Sequence, residues 1–187
     1  MKTLVLFLSA VILFAMFGFT LFLRRARADT LPLMKNPRIM VNKKNRTLEV
    51  FDGEKLIKTY KIALGFEPIG DKIKQGDGRT PEGEFYVAVK NPNSKFYLSL
   101  GLSYPNAAEA ERGLKSKLIS QKEYDAILAA IKDKKQPPQN TALGGDIYIH
   151  GGGTDWDWTW GCIALENEQV KELFDALEAG TPVTVKP

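Results

Sequence analysis

One cysteine and one histidine are all that the 187 residues hold of the two side chains most used for covalent and metal chemistry. A single cysteine excludes an internal disulfide. Together the two fall short of the three or four ligands that a Cys/His zinc site needs, so no metal is expected. A basic body is missing as well. The formal charge is +4, but residues 1–28 carry Lys2, Arg24, Arg25 and Arg27 and no acidic residue. Without that segment basic and acidic residues are equal in number, and the electrostatic footprint of a nucleic-acid binder is absent. The glycine-bearing loop Gly65–Gly78 lacks the Gly-Lys-Ser/Thr ending of a phosphate-binding loop. His150-Gly151-Gly152-Gly153 matches the oxyanion motif of esterases, but those enzymes also need a Gly-x-Ser-x-Gly elbow. The nearest approach, Gly101-Leu102-Ser103-Tyr104-Pro105, lacks the final glycine, and no second histidine remains for a triad. Internal repeats and low-complexity segments are also lacking.

A long apolar run is present. Leu4 to Leu23 is uncharged and long enough to span a bilayer as a helix. Lys2 precedes it and Arg24-Arg25-Ala26-Arg27-Ala28 follows. Residues 1–28 therefore read either as a signal peptide cleaved before Asp29, after the small-x-small pair Ala26 and Ala28, or as an uncleaved N-terminal membrane anchor. Either way the segment engages the membrane or the secretion machinery. The three arginines after the run would, taken alone, hold the body in the cytoplasm.

Residues 29–37 read as a proline-bearing linker, and the body covers residues 38–187. Arg38–Val41 and Thr47–Phe51 are short strands, and Asp52-Gly53 is a hairpin turn into a strand from Lys55 to Ala63. Phe85–Val89 and Asp146–His150 are further strands, and Thr181–Val185 closes the chain. Ser120 and Glu123 form a capping box ahead of Tyr124, Ile127, Leu128 and Ile131, one face of a helix. A weaker helix covers Ala107–Leu114. In the last helix Asn167 is the expected cap, Val170, Leu173, Phe174 and Leu177 are the buried stripe, and Gly180 is the stop. The fold class is mainly β (α+β), with a helical insertion and a C-terminal helix.

The two singletons lie twelve positions apart, in the most glycine-rich part of the chain. A lone cysteine is often a small buried hydrophobe and a lone histidine a structural group. Their pairing across a glycine-rich loop points instead to chemistry. A thiol is a strong nucleophile as the thiolate, and a neighbouring imidazolium or helix N-terminus lowers its pKa. If the loop folds back, His150 serves Cys162 as base. The Gly151 carbonyl accepts the other imidazole proton and fixes the tautomer. Gly161 lets backbone approach closely, and the amides of Gly161 and Cys162 form an oxyanion hole. Trp158 and Trp160 wall the site from water. Asp155 and Asp157 read as turn formers or solvated charges rather than as metal ligands.

Tyr148-Ile149-His150-Gly151 followed by Thr159-Trp160-Gly161-Cys162-Ile163 resembles the L,D-transpeptidase catalytic domain, also called the YkuD domain. Thr80-Pro81-x-Gly83-x-Phe85 and Gly180-Thr181-Pro182-Val183 resemble the flanking motifs of that family. The resemblance implies a β-sandwich-like domain in which Cys162 takes the acyl group of a peptidoglycan stem tetrapeptide and releases the terminal D-alanine. An amine of a second stem then resolves the thioester, in cell-wall biogenesis and cell shape. It implies Tyr148, Trp158, Thr159 and Trp160 as substrate-binding residues, no cofactor, peptidoglycan stem peptides as partners, and susceptibility to carbapenems. It implies export to the periplasm or the outer face of the cytoplasmic membrane. Transfer to water, as in an L,D-carboxypeptidase or peptidoglycan hydrolase, is the alternative, and a non-catalytic wall-binding domain is a third reading. Protein partners are left unspecified. The sequence departs from the family pattern at Trp160, usually histidine, at Ala164, often arginine, and in a short spacing between His150 and Cys162. Arg79, Lys90 and Lys95 are the cations left to meet a substrate carboxylate.

Overall fold

A computed structural model describes residues 30–187, and a compact unit covers Leu33–Pro187. The signal or anchor expected at 1–28 lies outside the described residues. Among the described residues, no helix is long and apolar enough to cross a membrane.

Alternation of apolar and polar residues builds the first strands. In β1 (Pro37–Asn42) Ile39 and Val41 point inward, in β2 (Thr47–Asp52) Leu48 and Val50 do, and in β8 (Pro182–Lys186) Val183 and Val185 do. The register brings these residues together. Ile39 faces Val50 across the antiparallel pair and Val183 across a parallel one, and Val41 faces Leu48 and Val185 in the same way. Each such side chain contributes roughly 1.5–3 kcal/mol when fully buried. β3 (Lys55–Lys61) pairs with β2 around the Asp52-Gly53 turn. Gly53 has φ +59, a conformation that favours glycine. Tyr60 in this strand and Ile62 just beyond it are buried, whereas Leu56 is exposed near the sheet's edge.

β4 (Gly83–Ser94) is far longer than the expected Phe85–Val89, and it carries the sheet round a bend. Its first residues pair with β8; from Val87 onward it pairs with β5 (Tyr97–Leu102), with register shifts between Val87 and Val89 and between Asn91 and Ser94. Such irregularities increase local twist. β5 then pairs with β6 (Tyr148–His150), and β6 runs parallel to β7 (Ile163–Ala164). The strand order is β3-β2-β1-β8-β4-β5-β6-β7. The two ends of this order meet. Ala63 N donates to Ala164 O (3.0 Å) and Ala164 N to Ala63 O (2.8 Å). The sandwich-like arrangement is thus one mixed sheet curled until its edges touch.

The helical insertion holds α1 (Ala107–Lys115) and α2 (Gln121–Lys132). It packs on itself through Ala110, Ile119, Ile127 and Leu143, with Leu114, Leu118, Tyr124 and Ile131 around them. The capping box before α2 has both reciprocal bonds, Ser120 N to Glu123 Oε2 (2.7 Å) and Glu123 N to Ser120 Oγ (3.3 Å). α3 (Asn167–Ala176) buries Val170 and Leu173, and Leu177 at its end is buried too. Its N-cap is Glu166 rather than the expected Asn167. The helix ends ahead of Gly180, at Ala176; Gly180, with φ +92, turns the chain into β8.

Candidate active site

β6 and β7 place the two singletons. Ile149 stands beside Ile163 and His150 beside Ala164. Continued by one pair, the register sets Cys162 beside Tyr148, and Tyr148 N donates to Cys162 Sγ (3.4 Å). Side chains alternate along a strand, so His150 and Cys162 project from the same face of neighbouring strands, at diagonal positions. Among the described residues no hydrogen bond joins them. The thiol donates instead to Asp146 O (3.2 Å).

The histidine is held on every side. Its Nδ1 lies 2.6 Å from Gly151 O. A carbonyl only accepts, so Nδ1 carries the proton, and in the neutral ring Nε2 is left with a free lone pair. Phe96 stacks on the imidazole (centroids 4.6 Å apart, 25° between planes) and Trp158 meets it edge-on (5.5 Å, 66°). His150 is 2% exposed, and burial lowers its pKa, partly opposed by the Gly151 carbonyl. Burial pushes the Cys162 thiol the other way, up to about 11, with the nearby Asp146 carboxylate adding to the rise and the Tyr148 amide opposing it. Both groups are neutral near pH 7, because removing a charge from water costs more here than the neighbours return.

Gly151 is required for space. A Cβ on it would stand 2.4 Å from Asn167 Oδ1 and 2.9 Å from Phe96 O. The start of α3 explains this crowding. Asn167 Oδ1 accepts from Gly152 N (3.1 Å), and Glu166 Oε1 accepts from Thr154 N (3.0 Å) and Thr154 Oγ1 (2.8 Å). Both acceptors fasten the glycine loop to the start of α3.

The cysteine loop is fixed by two hydroxyls. Thr159 Oγ1 donates to Cys162 O (2.8 Å) and accepts from Gly161 N (3.1 Å). Thr80 Oγ1 also reaches Cys162 O (3.4 Å) and accepts from Gly65 N (3.0 Å). The Gly161 amide, expected in the oxyanion hole, is thus spent on Thr159. Thr159, expected to bind substrate, is 3% exposed and positions the loop instead. Gly161 answers a different need: it has φ +123, and a Cβ there would stand 2.6 Å from Arg79 O. The Cys162 amide makes no hydrogen bond among the described residues and remains free to donate.

The other expected residues divide. Trp158 packs on His150 as a wall. Trp160 does not: it is 70% exposed and meets Phe66 edge-on at 4.8 Å. Tyr148 lies half-buried beside the sulfur, against Gly101. Asp157 is neither solvated nor a simple turn former. It accepts from Arg46 Nε (3.0 Å), Arg46 Nη2 (2.7 Å) and Leu64 N (2.8 Å), and so anchors the tryptophan loop. Lys90 pairs with Glu178 at 3.8 Å over the ring of Phe174, away from the role suggested for it. Ala164 is fully buried at the sheet closure. Phe96 and Thr80 were not singled out by sequence. Phe96 comes from the β4–β5 turn, and nothing local announces its distant partner; Thr80 stood in a flanking motif with no role attached.

A family model described as the L,D-transpeptidase catalytic domain matches residues 36–185. The Escherichia coli (strain K12) protein YafK, named as an L,D-transpeptidase, is 33% identical over 155 residues, covering 77% of this chain and 50% of that protein. YqjB of Bacillus subtilis (strain 168), similarly named, is 28% identical over 159 residues, covering 82% and 73%. Among solved structures, the helical cell shape determining protein Pgp2 of Campylobacter jejuni (K307A mutant) has a TM-score of 0.53 at 22% identity, covering 85% of this chain and 50% of that one. The chain spans about half the length of YafK and of Pgp2.

Proposed function

Since the chain belongs to the L,D-transpeptidase catalytic-domain family, we propose that it is a peptidoglycan-modifying acyltransferase working through a thioester on Cys162. The substrate is the stem peptide of the cell wall, and the setting is the periplasm or the outer face of the membrane, with residues 1–28 as the export signal or anchor. The body at 38–187 is the catalytic domain.

The observation that carries this reading is the 2.6 Å contact of His150 Nδ1 with Gly151 O, on the strand face that also bears Cys162. It leaves Nε2 as a free base. In the first step the thiol turns from the Asp146 carbonyl and gives its proton to Nε2, and sulfur bonds to the acyl carbon. The oxyanion takes the Cys162 amide. Such a donor is typically worth about 3 kcal/mol in the transition state. The intermediate collapses with cleavage of the C–N bond; the amine leaves with the proton from the imidazole. The amine of a second stem then attacks the thioester, loses a proton to Nε2, and the sulfur leaves and regains it. Tyr148 and Trp158 line the approach to the acyl group. No step calls for a cofactor.

A second reading, transfer to water, draws support from one observation. Trp160 turns toward solvent, so one of the two walls expected to keep water from a bound thioester is missing. Incubating the full chain with a disaccharide-tetrapeptide distinguishes the two. Cross-linked dimer is expected for the transferase; tripeptide without dimer would replace that assignment with a carboxypeptidase. Neither product would contradict an enzymatic role altogether.

A further inference from the structure

A lysine withdrawn from water must find a partner for each of its protons. Lys43, just after β1, is 2% exposed. Its Nζ donates to Gly70 O (2.6 Å), Thr80 O (2.8 Å) and Glu82 Oε1 (2.7 Å). The three acceptors lie toward the two ends of one loop, residues 70–82, so the ammonium cinches that loop at its neck. Asp71 adds a second tie, accepting from Glu82 N (2.8 Å) and Arg112 Nη1 (2.8 Å).

The proposed chemistry does not use Lys43, yet the residue it grips does touch the cysteine loop. The Thr80 carbonyl is held by Lys43 while its hydroxyl bonds Gly65 N and Cys162 O. Backbone packing leaves no slack between these segments. A Cβ on Gly65 would lie 2.0 Å from Gly78 O, and one on Gly161 would lie 2.6 Å from Arg79 O. A shift of residues 78–80 is therefore passed directly to Gly161 and Cys162.

We propose that Lys43 is a positioning residue for acyl transfer: it sets Thr80, and Thr80 sets the backbone from which the Cys162 sulfur is aimed. The inference rests on Cys162 being the nucleophile. Its acceptors would be left bare by Lys43→Met, including the Glu82 carboxylate, and the loop would move off its present line.

The test uses the full chain as wild type, Lys43→Met, Lys43→Arg, Thr80→Val and the Lys43→Met/Thr80→Val double variant. Turnover of a disaccharide-tetrapeptide gives kcat and KM, and alkylation by iodoacetamide gives thiol reactivity that needs no oriented acyl group. Misplacement on the ångström scale costs up to about 100-fold. Lys43→Met and Thr80→Val are each expected to lower kcat by about 10- to 100-fold, with KM and the alkylation rate nearly unchanged. Lys43→Arg is expected to recover part of kcat, and the double variant to lose little more than either single one. Wild-type kcat in folded Lys43→Met, or in Thr80→Val should Lys43→Met fail to fold, overturns the proposal. So do losses that multiply in the double variant, or alkylation that falls in step with kcat. A wild type without turnover whose thiol never becomes acylated would instead remove the nucleophile itself.

Discussion

Burial acts on Cys162 and His150 in opposite directions, raising the thiol to about 11 and lowering the imidazole below its ordinary 6.5. The pH–rate profile follows from that opposition. His150 must be unprotonated to accept the proton, so kcat/KM is expected to rise with pH along a limb centred below 6.5. Above it the profile is expected to stay level until the thiol itself titrates, near 11. A limb at the ordinary cysteine value would contradict the neutral resting pair. Stability has the corresponding signs. Below 6.5 the unfolded chain takes up a proton that folded His150 resists, so stability falls with falling pH. Above 9 the unfolded thiol ionises before the folded one, so stability falls again as pH rises toward 11. Gly161 allows a separate test. Its φ of +123 and the 2.6 Å approach to Arg79 O leave no place for a Cβ, so Gly161→Ala is expected to cost about 2 kcal/mol or more in denaturant unfolding and to abolish turnover. That His150 and Cys162 would stand on neighbouring segments was legible in the sequence, because a glycine-rich loop lies between them; in the fold that loop joins the end of β6 to the start of β7. The fate of the Gly161 amide was not, since the Thr159 hydroxyl that takes it is identified only by the folded turn.

At the scale of the element, local chemistry was readable and long-range recruitment was not. The Ser120–Glu123 box forms as expected because both partners belong to one turn. The same logic misplaced the cap of α3, since Glu166 and Asn167 are drawn to the glycine loop more than ten residues upstream. β5 carries Leu98, Leu100 and Leu102 at alternate positions, yet it was not among the strands expected from the sequence. Gly101 is small because Tyr148 and Val89 press on its vacant Cβ position. The insertion holds its own titrating group. Glu109 in α1 is almost fully buried, and burial raises its pKa to about 8, with the Asp71 carboxylate adding to the rise and the Asn106 amide opposing it. Between 4.5 and 8 the folded carboxyl keeps a proton that the unfolded one has lost, so its burial costs increasing stability as pH rises across that window. Glu109→Gln, which mimics the protonated form, is expected to stabilise the chain by roughly 1–3 kcal/mol at pH 9 and by little at pH 4.5, read from denaturant midpoints. Equal effects at both pH values would contradict a protonated Glu109.

Over the whole molecule, the sheet's closure explains where the site sits. Ala63 and Ala164 join the two outer strands, and the same contact region continues through Gly65 and Thr159 to the loop that holds Cys162. Arg46 and Asp157 brace that closure, linking the β1–β2 turn to the tryptophan loop with charge-assisted bonds. Asp157→Ala also strands Leu64 N, and is expected to lower stability by roughly 2–4 kcal/mol, measured by thermal or denaturant unfolding. The strands were legible in outline because their alternation is local. Closure was not, because it pairs residues about a hundred positions apart, and neither Ala63 nor Ala164 carries a pattern of its own. The central claim is that the sulfur of Cys162 accepts an acyl group. Intact mass of the full chain after brief incubation with a stem tetrapeptide or a carbapenem tests it most directly. One covalent adduct, mapped to Cys162 and lost in a folded Cys162→Ala variant, is the predicted result; an adduct that survives that substitution, or turnover that does, would contradict it.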